Sequence, residues 1–81
     1  MYLAKNLKYL RKKNGLIQEE LAEKLKISRQ ALGNWEQGYR SPDLETLVCM
    51  ADFFGVTLDQ LVRQDLSKEK KGVTVYQRKS E

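Results

Sequence analysis

The stretch "QEELAEKLKISRQALGNWEQG", residues 18–38, contains two short helical patterns separated by a turn. Its apolar side chains recur about one helical turn apart, which places them on one side of each helix. These side chains are Leu21, Ala22, Leu25, Ile27, Leu32 and Trp35. Ser28 is a favourable N-cap and Gly38 a favourable terminator for the second pattern. The spacing predicts helices at about 18–25 and 29–37 joined by a turn of about three residues, which is a helix-turn-helix pair.

Helical periodicity extends over most of the chain before residue 65. Three leucines, Leu3, Leu7 and Leu10, share one side of a predicted helix at about 3–13, which Asn14-Gly15 ends. A fourth helix is predicted to begin at Ser41 or Asp43 and to end at Gly55. The side expected to face the core carries Leu44, Leu47, Val48, Ala51 and Phe54.

A fifth helix is predicted to begin at Thr57, whose spacing from Gln60 is typical of a capping box. Val56 stands where it can pack on Leu61 as a hydrophobic staple. The sequence therefore predicts an all-α fold, a compact five-helix bundle that contains the helix-turn-helix pair and occupies residues 1–64 as one domain.

Residues 65–81, "DLSKEKKGVTVYQRKSE", differ from the bundle and form a charged C-terminal tail. In its centre, "VTVY" alternates apolar and polar side chains of β-favouring types, which favours a short β-strand. Disorder is the usual state of such a terminus, so both states stay open. Val73 and Val75 make the tail a candidate for dimerisation by strand pairing.

Composition limits the chemistry that the chain can perform. Its 81 residues include one cysteine and no histidine, so an internal disulfide is impossible and the usual metal ligands and acid/base groups are scarce. A glycine-rich phosphate loop and a metal-ligand cluster are also missing from the sequence. We therefore expect neither an enzyme nor a bound cofactor or metal. The sequence lacks a signal-peptide pattern and a transmembrane window, which predicts a cytoplasmic protein without membrane contact.

Charge is distributed unevenly along the chain, whose net charge is +4. Residues 1–40 carry nine Lys/Arg against four Asp/Glu, residues 41–64 carry one against four, and residues 65–81 carry five against three. A basic first half followed by an acidic segment is expected if one end of the molecule approaches a polyanion. The alternative is a scatter of charges over a solvated surface.

Four short motifs in order resemble one known family. They are Gln-Glu-Glu-Leu-Ala opening the second helix, Ser-Arg-Gln opening the third, Trp-Glu-x-Gly closing it, and Pro-x-Leu-x-x-Leu after the following loop. From about Lys5 to Val62, the sequence resembles the phage-repressor-like helix-turn-helix regulators of the Cro/XRE type. The resemblance implies a repressor that binds double-stranded DNA sequence-specifically, as a homodimer on a palindromic operator, in a bacterial or phage context.

The predicted third helix has a polar face opposite its apolar side. The apolar side turns Arg29, Gln30, Gly33 and Asn34 outward, and in the family those positions face DNA bases. Arginine can donate two hydrogen bonds to guanine, and glutamine or asparagine can pair with adenine. Without the surrounding motif, such a face is more often simply solvated.

Phosphate contacts are expected from side chains around this helix. The resemblance assigns one to Gln18. This residue stands at the start of helix two, where free backbone N–H groups and the helix dipole favour an anion. Tyr39 and Arg40, in the loop after helix three, are further candidates for a phosphate contact. Gln37 and Asn34, on helix three itself, are also candidates. For Tyr39 the alternative is an aromatic ring packed on the bundle.

The resemblance also pairs Arg11 with Glu36 in a structural ion pair that ties helix one to the end of helix three. Two positions depart from the family pattern. Ile17 replaces the usual Thr or Ser cap, so we expect Gln18 to be held less firmly. Gly33 lies in the middle of helix three, where glycine costs about 1 kcal/mol relative to alanine. Gly33 either admits the backbone close to DNA or removes specificity at one base pair.

A domain of this size covers one half-site, so the family's usual arrangement is a dimer. Cys49 and Phe53 are expected to project from the far side of helix four beside Met50, which makes these three residues candidates for the interface. The alternative places Phe53 against the edge of the bundle or under the tail. Two other functions stay open: an antitoxin-type DNA-binding protein whose tail binds a partner, and a protein-binding module on the same fold. No small-molecule effector is predicted.

Overall fold

The computed structural model describes residues 1–68, which form α1 (Leu3–Lys13), α2 (Gln18–Leu25), α3 (Arg29–Gln37), α4 (Leu44–Phe54) and α5 (Leu58–Arg63). Residues 66–68 are also helical, and residues 1–68 contain no strand. The predicted all-α class is confirmed. The strand predicted in "VTVY" and the interface role predicted for Val73 and Val75 lie outside the described residues. In the described part of the chain, no helix has both the length and the apolar character that crossing a membrane requires.

Local capping explains where the helices begin. The Ser28 hydroxyl accepts a hydrogen bond from the Ala31 backbone N–H at 3.0 Å, which starts α3. Asp43, rather than Ser41, caps α4, because its Oδ1 accepts from the Thr46 N–H at 2.9 Å. At α5 the capping box is complete, with bonds of 3.0 Å and 2.8 Å between Thr57 and Gln60 in the two directions.

The core consists of two neighbouring apolar clusters. One cluster lies among α1, α4 and α5, and its buried members are Leu7, Leu10, Met50, Ala51, Leu61 and Leu66. The other lies between α2 and α3 and contains Leu21, Ala22 and Leu32. Leu25, Ile27, Trp35 and Phe54 pack against both clusters. Because α3 contributes to the second cluster and contacts the first, its orientation is fixed by both.

The face of α4 that enters the core differs from the predicted one. Leu44 and Val48 were expected in the core, but they are 66% and 43% exposed. Met50 was predicted at the surface and is fully buried. Eight of the eleven residues in "LETLVCMADFF" are apolar, so hydrophobic periodicity alone does not select a face of this helix. The long, unbranched Met50 side chain fills the space between α1 and α5 instead.

Asn6 is a buried polar residue that links α1 to the end of α5. Its side-chain amide donates to the carbonyl oxygens of Leu61 at 2.7 Å and Gln64 at 2.6 Å. Its Oδ1 accepts from the Leu66 backbone N–H at 3.0 Å. Because Leu66 is itself buried, the packed part of the chain continues past the boundary predicted at residue 64.

Candidate nucleic-acid interface

The two sides of α3 have different environments. Leu32 is fully buried between α2 and α3, and Trp35 packs against both core clusters. On the opposite side, the structure brings together the polar residues predicted to face DNA. Arg29, Gln30 and Gln37 are exposed, while Gly33 and Asn34 are half-buried. We call Arg29, Gln30, Gly33, Asn34 and Gln37 the polar face of α3.

The Arg29 side chain on this face has no partner among residues 1–68. There, neither its guanidinium group nor that of Arg40 forms a hydrogen bond or an ion pair. Five guanidinium N–H donors on each residue are therefore available to an external acceptor. Planar guanidinium groups suit the bidentate recognition of phosphate oxygens or of guanine O6 and N7.

Arg11 and Glu36 form a nearly buried ion pair between α1 and α3. Arg11 Nε donates to Glu36 Oε2 at 2.8 Å, and Arg11 Nη2 donates to Glu36 Oε1 at 3.1 Å. A third bond, of 2.8 Å, joins Arg11 Nη1 to the Leu16 carbonyl oxygen. The Glu36 side chain is 1% exposed and the Arg11 side chain 11%. The pair holds the carboxylate in one place beneath the polar face of α3.

Gln18 extends this pair to the first residue of α2. Its Nε2 donates to Glu36 Oε1 at 3.1 Å. Ile17 supplies no side-chain cap, but its backbone N–H donates to Glu20 Oε1 at 2.9 Å. Gln18, which was expected to be held less firmly for want of a side-chain cap at Ile17, has its side chain bonded to the Glu36 carboxylate.

The loop after α3 presents two further side chains to solvent. Tyr39 is 76% exposed, which contradicts the alternative of a ring packed on the bundle. Its backbone N–H donates to the Asn34 carbonyl oxygen at 2.9 Å, after Gly38 has ended α3 in the left-handed conformation with a φ of 81°. Arg40 follows and is also exposed. Tyr39 and Arg40 therefore leave the bundle at the end of the polar face of α3.

The far side of α4 carries exposed apolar residues. Cys49 is exposed and Phe53 is 42% exposed, with its ring meeting the Phe54 ring edge-on at a centroid distance of 5.1 Å. Met50 is excluded from a surface contact by its burial, so its assignment to an interface is wrong. Leu44 and Val48 are also exposed, but helical spacing places Leu44 on the opposite side of α4 from Phe53, with the exposed Glu45 and Asp52 between them. We call Cys49 and Phe53, which are four residues apart on one side of the helix, the apolar face of α4.

Sequence reasoning missed two contacts that hold these elements together. The bond from Gln18 to Glu36 joins residues that are distant in the chain, so no local pattern indicates it. Asn6 did carry a signal. It lies three residues after Leu3 and four before Leu10, on the apolar side of α1, where a polar side chain needs buried partners.

Comparison with known proteins gives consistent matches over this part of the chain. Residues 7–61 match the helix-turn-helix family HTH_3. The chain is 44% identical over 62 residues to the HTH-type transcriptional activator BcrR of Enterococcus faecalis, covering 76% of this chain and 30% of that protein. It is 43% identical over 65 residues to the HTH-type transcriptional regulator ImmR of Bacillus subtilis, covering 80% and 51%.

A solved structure shares the fold. The crystal structure of a transcriptional regulator from Listeria innocua superposes with a TM-score of 0.69 at 28% sequence identity, covering 96% of this chain and 78% of that one. The chain spans about a third of the length of BcrR and about half of the length of ImmR. The similarity therefore concerns the helix-turn-helix part of those longer proteins.

Proposed function

This chain belongs to the Cro/XRE-type helix-turn-helix family of transcriptional regulators, and we propose that it binds double-stranded DNA sequence-specifically with α3 in the major groove. Regulators of this family are not enzymes. The observation that supports the proposal most is the polar face of α3, where the Arg29 side chain has no partner in the described part of the chain while the opposite side of the helix packs in the core. A helix held in this way can present its side chains to base edges without losing its orientation.

The polar face supplies the base contacts in this proposal. Arg29 donates two hydrogen bonds to O6 and N7 of a guanine, and Gln30 pairs with N6 and N7 of an adenine. Asn34 provides the same donor and acceptor chemistry one helical turn later. Gly33 has no side chain to contribute.

Phosphate contacts surround the base contacts. Arg40 and Tyr39, beyond the end of α3, reach the DNA backbone on one side, with Gln37 beside them. Gln18 reaches it from the start of α2, where the helix dipole favours an anion. These contacts set the register of the protein on DNA but do not distinguish sequences.

The protein acts in this proposal as a cytoplasmic homodimer on a palindromic operator, with two α3 helices in successive major grooves about 34 Å apart. The apolar face of α4 is the proposed contact between the two copies. Glu45 and Asp52 are exposed on the same helix. Added salt should therefore strengthen the dimer by screening repulsion between these carboxylates.

A dimer bound across a promoter prevents polymerase from binding, so we propose that the protein is a repressor. BcrR, with which it shares sequence similarity, is named an activator. A reporter fused to the selected operator separates the two outcomes, because repression predicts increased expression when the protein is removed. Decreased expression would contradict it.

DNA binding is tested by selecting bound sites from random double-stranded DNA and by titrating salt on the best site. We expect one enriched two-fold sequence, with affinity falling steeply as salt rises, because phosphate contacts release counterions. Arg40→Ala should weaken binding to all sequences alike and reduce the salt slope by about one. Failure to enrich any sequence would overturn the proposal.

The dimer is tested by sedimentation at micromolar concentration. The intact chain should sediment as a dimer and Phe53→Asp as a monomer, because a charge would be placed inside the apolar contact. A chain that ends after Lys68 retains the buried Leu66 and serves as the control for the tail. Loss of the dimer only in this shortened chain would move the interface from α4 to the tail, and a monomer in every case would overturn dimerisation.

A further inference from the structure

Gly33 lies on the polar face of α3 directly beneath the side chain of Gln18. A Cβ atom at position 33 would lie 3.8 Å from Gln18 Oε1 and 3.9 Å from Gln18 Nε2. These are ordinary van der Waals distances, so the Gln18 amide already occupies the space into which a larger side chain at position 33 would extend. A residue of α2 therefore covers the one position of the polar face that lacks a side chain.

The Glu36 carboxylate determines which way the Gln18 amide is turned. Each of the two Glu36 side-chain oxygens accepts a hydrogen bond from Arg11, so this group acts here as a hydrogen-bond acceptor. Only the NH₂ end of the amide can face it, and Gln18 Nε2 does so at 3.1 Å. One amide N–H is used in this bond. The second N–H and the Oε1 lone pairs have no partner among residues 1–68.

The remaining donor and acceptor are anchored groups at the surface. The hydrogen bond to the carboxylate is charge-assisted, and the ion pair with Arg11 prevents the carboxylate from moving. An amide held in this way loses little conformational entropy when it forms a further contact. The free N–H and Oε1 can thus serve a ligand that approaches the polar face of α3.

We propose that Gly33 is a positioning residue: its missing side chain admits the Gln18 amide to the polar face of α3, where Gln18 contacts the DNA segment that faces position 33. This inference rests on the proposed DNA binding. The sequence alone offered two interpretations of Gly33, close approach of the backbone to DNA or lost specificity at one base pair. The proposal replaces both with a third, in which the glycine makes room for a neighbouring side chain. A β-branched residue at position 33 displaces the Gln18 amide from Glu36.

The first part of the test uses the free protein, so that its outcome is independent of DNA. In NMR spectra, the Gln18 side-chain NH₂ protons should be shifted and slowly exchanging because of the bond to Glu36. Gly33→Ala should retain this signature, because its Cβ fits at van der Waals distance. Gly33→Val should remove it. An unchanged Gln18 signature in Gly33→Val would overturn the proposal.

The second part measures affinity for the DNA site selected by the intact protein. Gly33→Val and Gln18→Ala should each weaken binding about five- to tenfold, the size expected for one lost hydrogen bond that is not replaced. The double variant should be no weaker than either single variant, because both remove the same contact. Gly33→Val combined with Arg40→Ala, a residue beyond the end of α3, is the matched control, in which the two losses should multiply.

The sequence preference of the variants distinguishes the two DNA groups that the Gln18 amide can contact, a base edge and a phosphate. A contact to a base edge predicts that Gly33→Val and Gln18→Ala lose preference at the same base pair, whereas a phosphate contact predicts equal weakening on all sequences. Either result supports the positioning role, provided that the two variants behave alike. Multiplying losses for Gly33→Val and Gln18→Ala would overturn it. If no DNA site is enriched at all, the proposed function fails, while the NMR comparison still decides whether Gly33 positions Gln18.

Discussion

Two networks of polar side chains lie inside this largely apolar bundle. They differ in charge and in the part of the molecule to which they connect α1. Arg11 and Glu36 form an ion pair that continues through Gln18 to the polar face of α3. Asn6 is neutral and connects α1 only to the end of α5 and to Leu66. Both networks satisfy buried groups, but only the first reaches a surface that can contact a ligand. We therefore expect the two networks to separate experimentally into one that affects stability and DNA binding and one that affects stability alone.

Glu36→Ala should have the largest effect on stability. It leaves the Arg11 guanidinium nearly buried with only the Leu16 carbonyl as its partner. Removing one member of a buried ion pair typically costs 3–5 kcal/mol, a large part of the about 5–15 kcal/mol that a domain has. Urea denaturation followed by circular dichroism measures the loss. A loss below about 1 kcal/mol would show that the pair is effectively solvated.

Asn6→Leu should cost less, about 2–3 kcal/mol, because it removes the side-chain bonds to the buried Leu66 N–H and to the Leu61 carbonyl oxygen. The matched control is Asn14→Ala. It removes a 2.7 Å bond to the Leu10 carbonyl at an exposed residue and should cost about 1 kcal/mol or less. Equal losses in the two variants would contradict a special role for Asn6.

The double variant Arg11→Met, Glu36→Leu sharpens the comparison. Replacing both charges by apolar side chains of similar volume is often nearly neutral for stability, so its loss should be much smaller than that of Glu36→Ala. Gln18 nevertheless loses its acceptor, and DNA affinity should fall about five- to tenfold. Asn6→Leu should leave DNA affinity unchanged under conditions in which it is folded. Fluorescence anisotropy with labelled DNA tests both expectations, and equal affinities of the two variants would contradict the division into two networks.

The smallest expected effect on stability is the pH dependence that comes from Asp65, which lies next in the chain to Leu66 of the Asn6 network. The hydrogen bond from Lys5 at 2.8 Å, together with that from the Ser67 hydroxyl, lowers the pKa of Asp65 from 3.8 to about 2. Because the folded pKa lies below the unfolded one, the stabilisation is fully present above about pH 4 and is lost as the pH falls towards 2. NMR titration of the Asp65 carboxyl measures the shift. In urea unfolding, Asp65→Asn should lose less stability than the intact protein over this pH range, and identical profiles would contradict the assignment.

Local signals in the sequence predicted the helices well, because caps and helical periods act within a few residues. Ser28, Thr57 and Gln60 bond as their spacing indicates. The orientation of α4 was not predictable in this way, because apolar residues surround most of the helix and tertiary packing selects Met50 rather than Val48. Which face enters the core is decided by the neighbouring helices, and the sequence of α4 alone does not describe them.

In the candidate site, too, the features set by local sequence were predictable and those set by tertiary packing were not. The outward position of Arg29 and Gln30 follows from the apolar period of α3. The link between Gln18 and Glu36 does not, because it depends on how α2 and α3 cross. The proximity of Gly33 to Gln18 likewise appears only in three dimensions. Sequence patterns thus identified the polar face of α3, and the structure identified the contacts that support it.

The central claim, that the polar face of α3 determines which DNA sequence is bound, is tested most directly by repeating the random-site selection with Arg29→Ala. The account predicts that this variant still selects the same two-fold site but loses preference at one base pair in each half-site. A matching loss of about 1–3 kcal/mol in affinity is expected. An Arg29→Ala profile identical to that of the intact protein would contradict the claim.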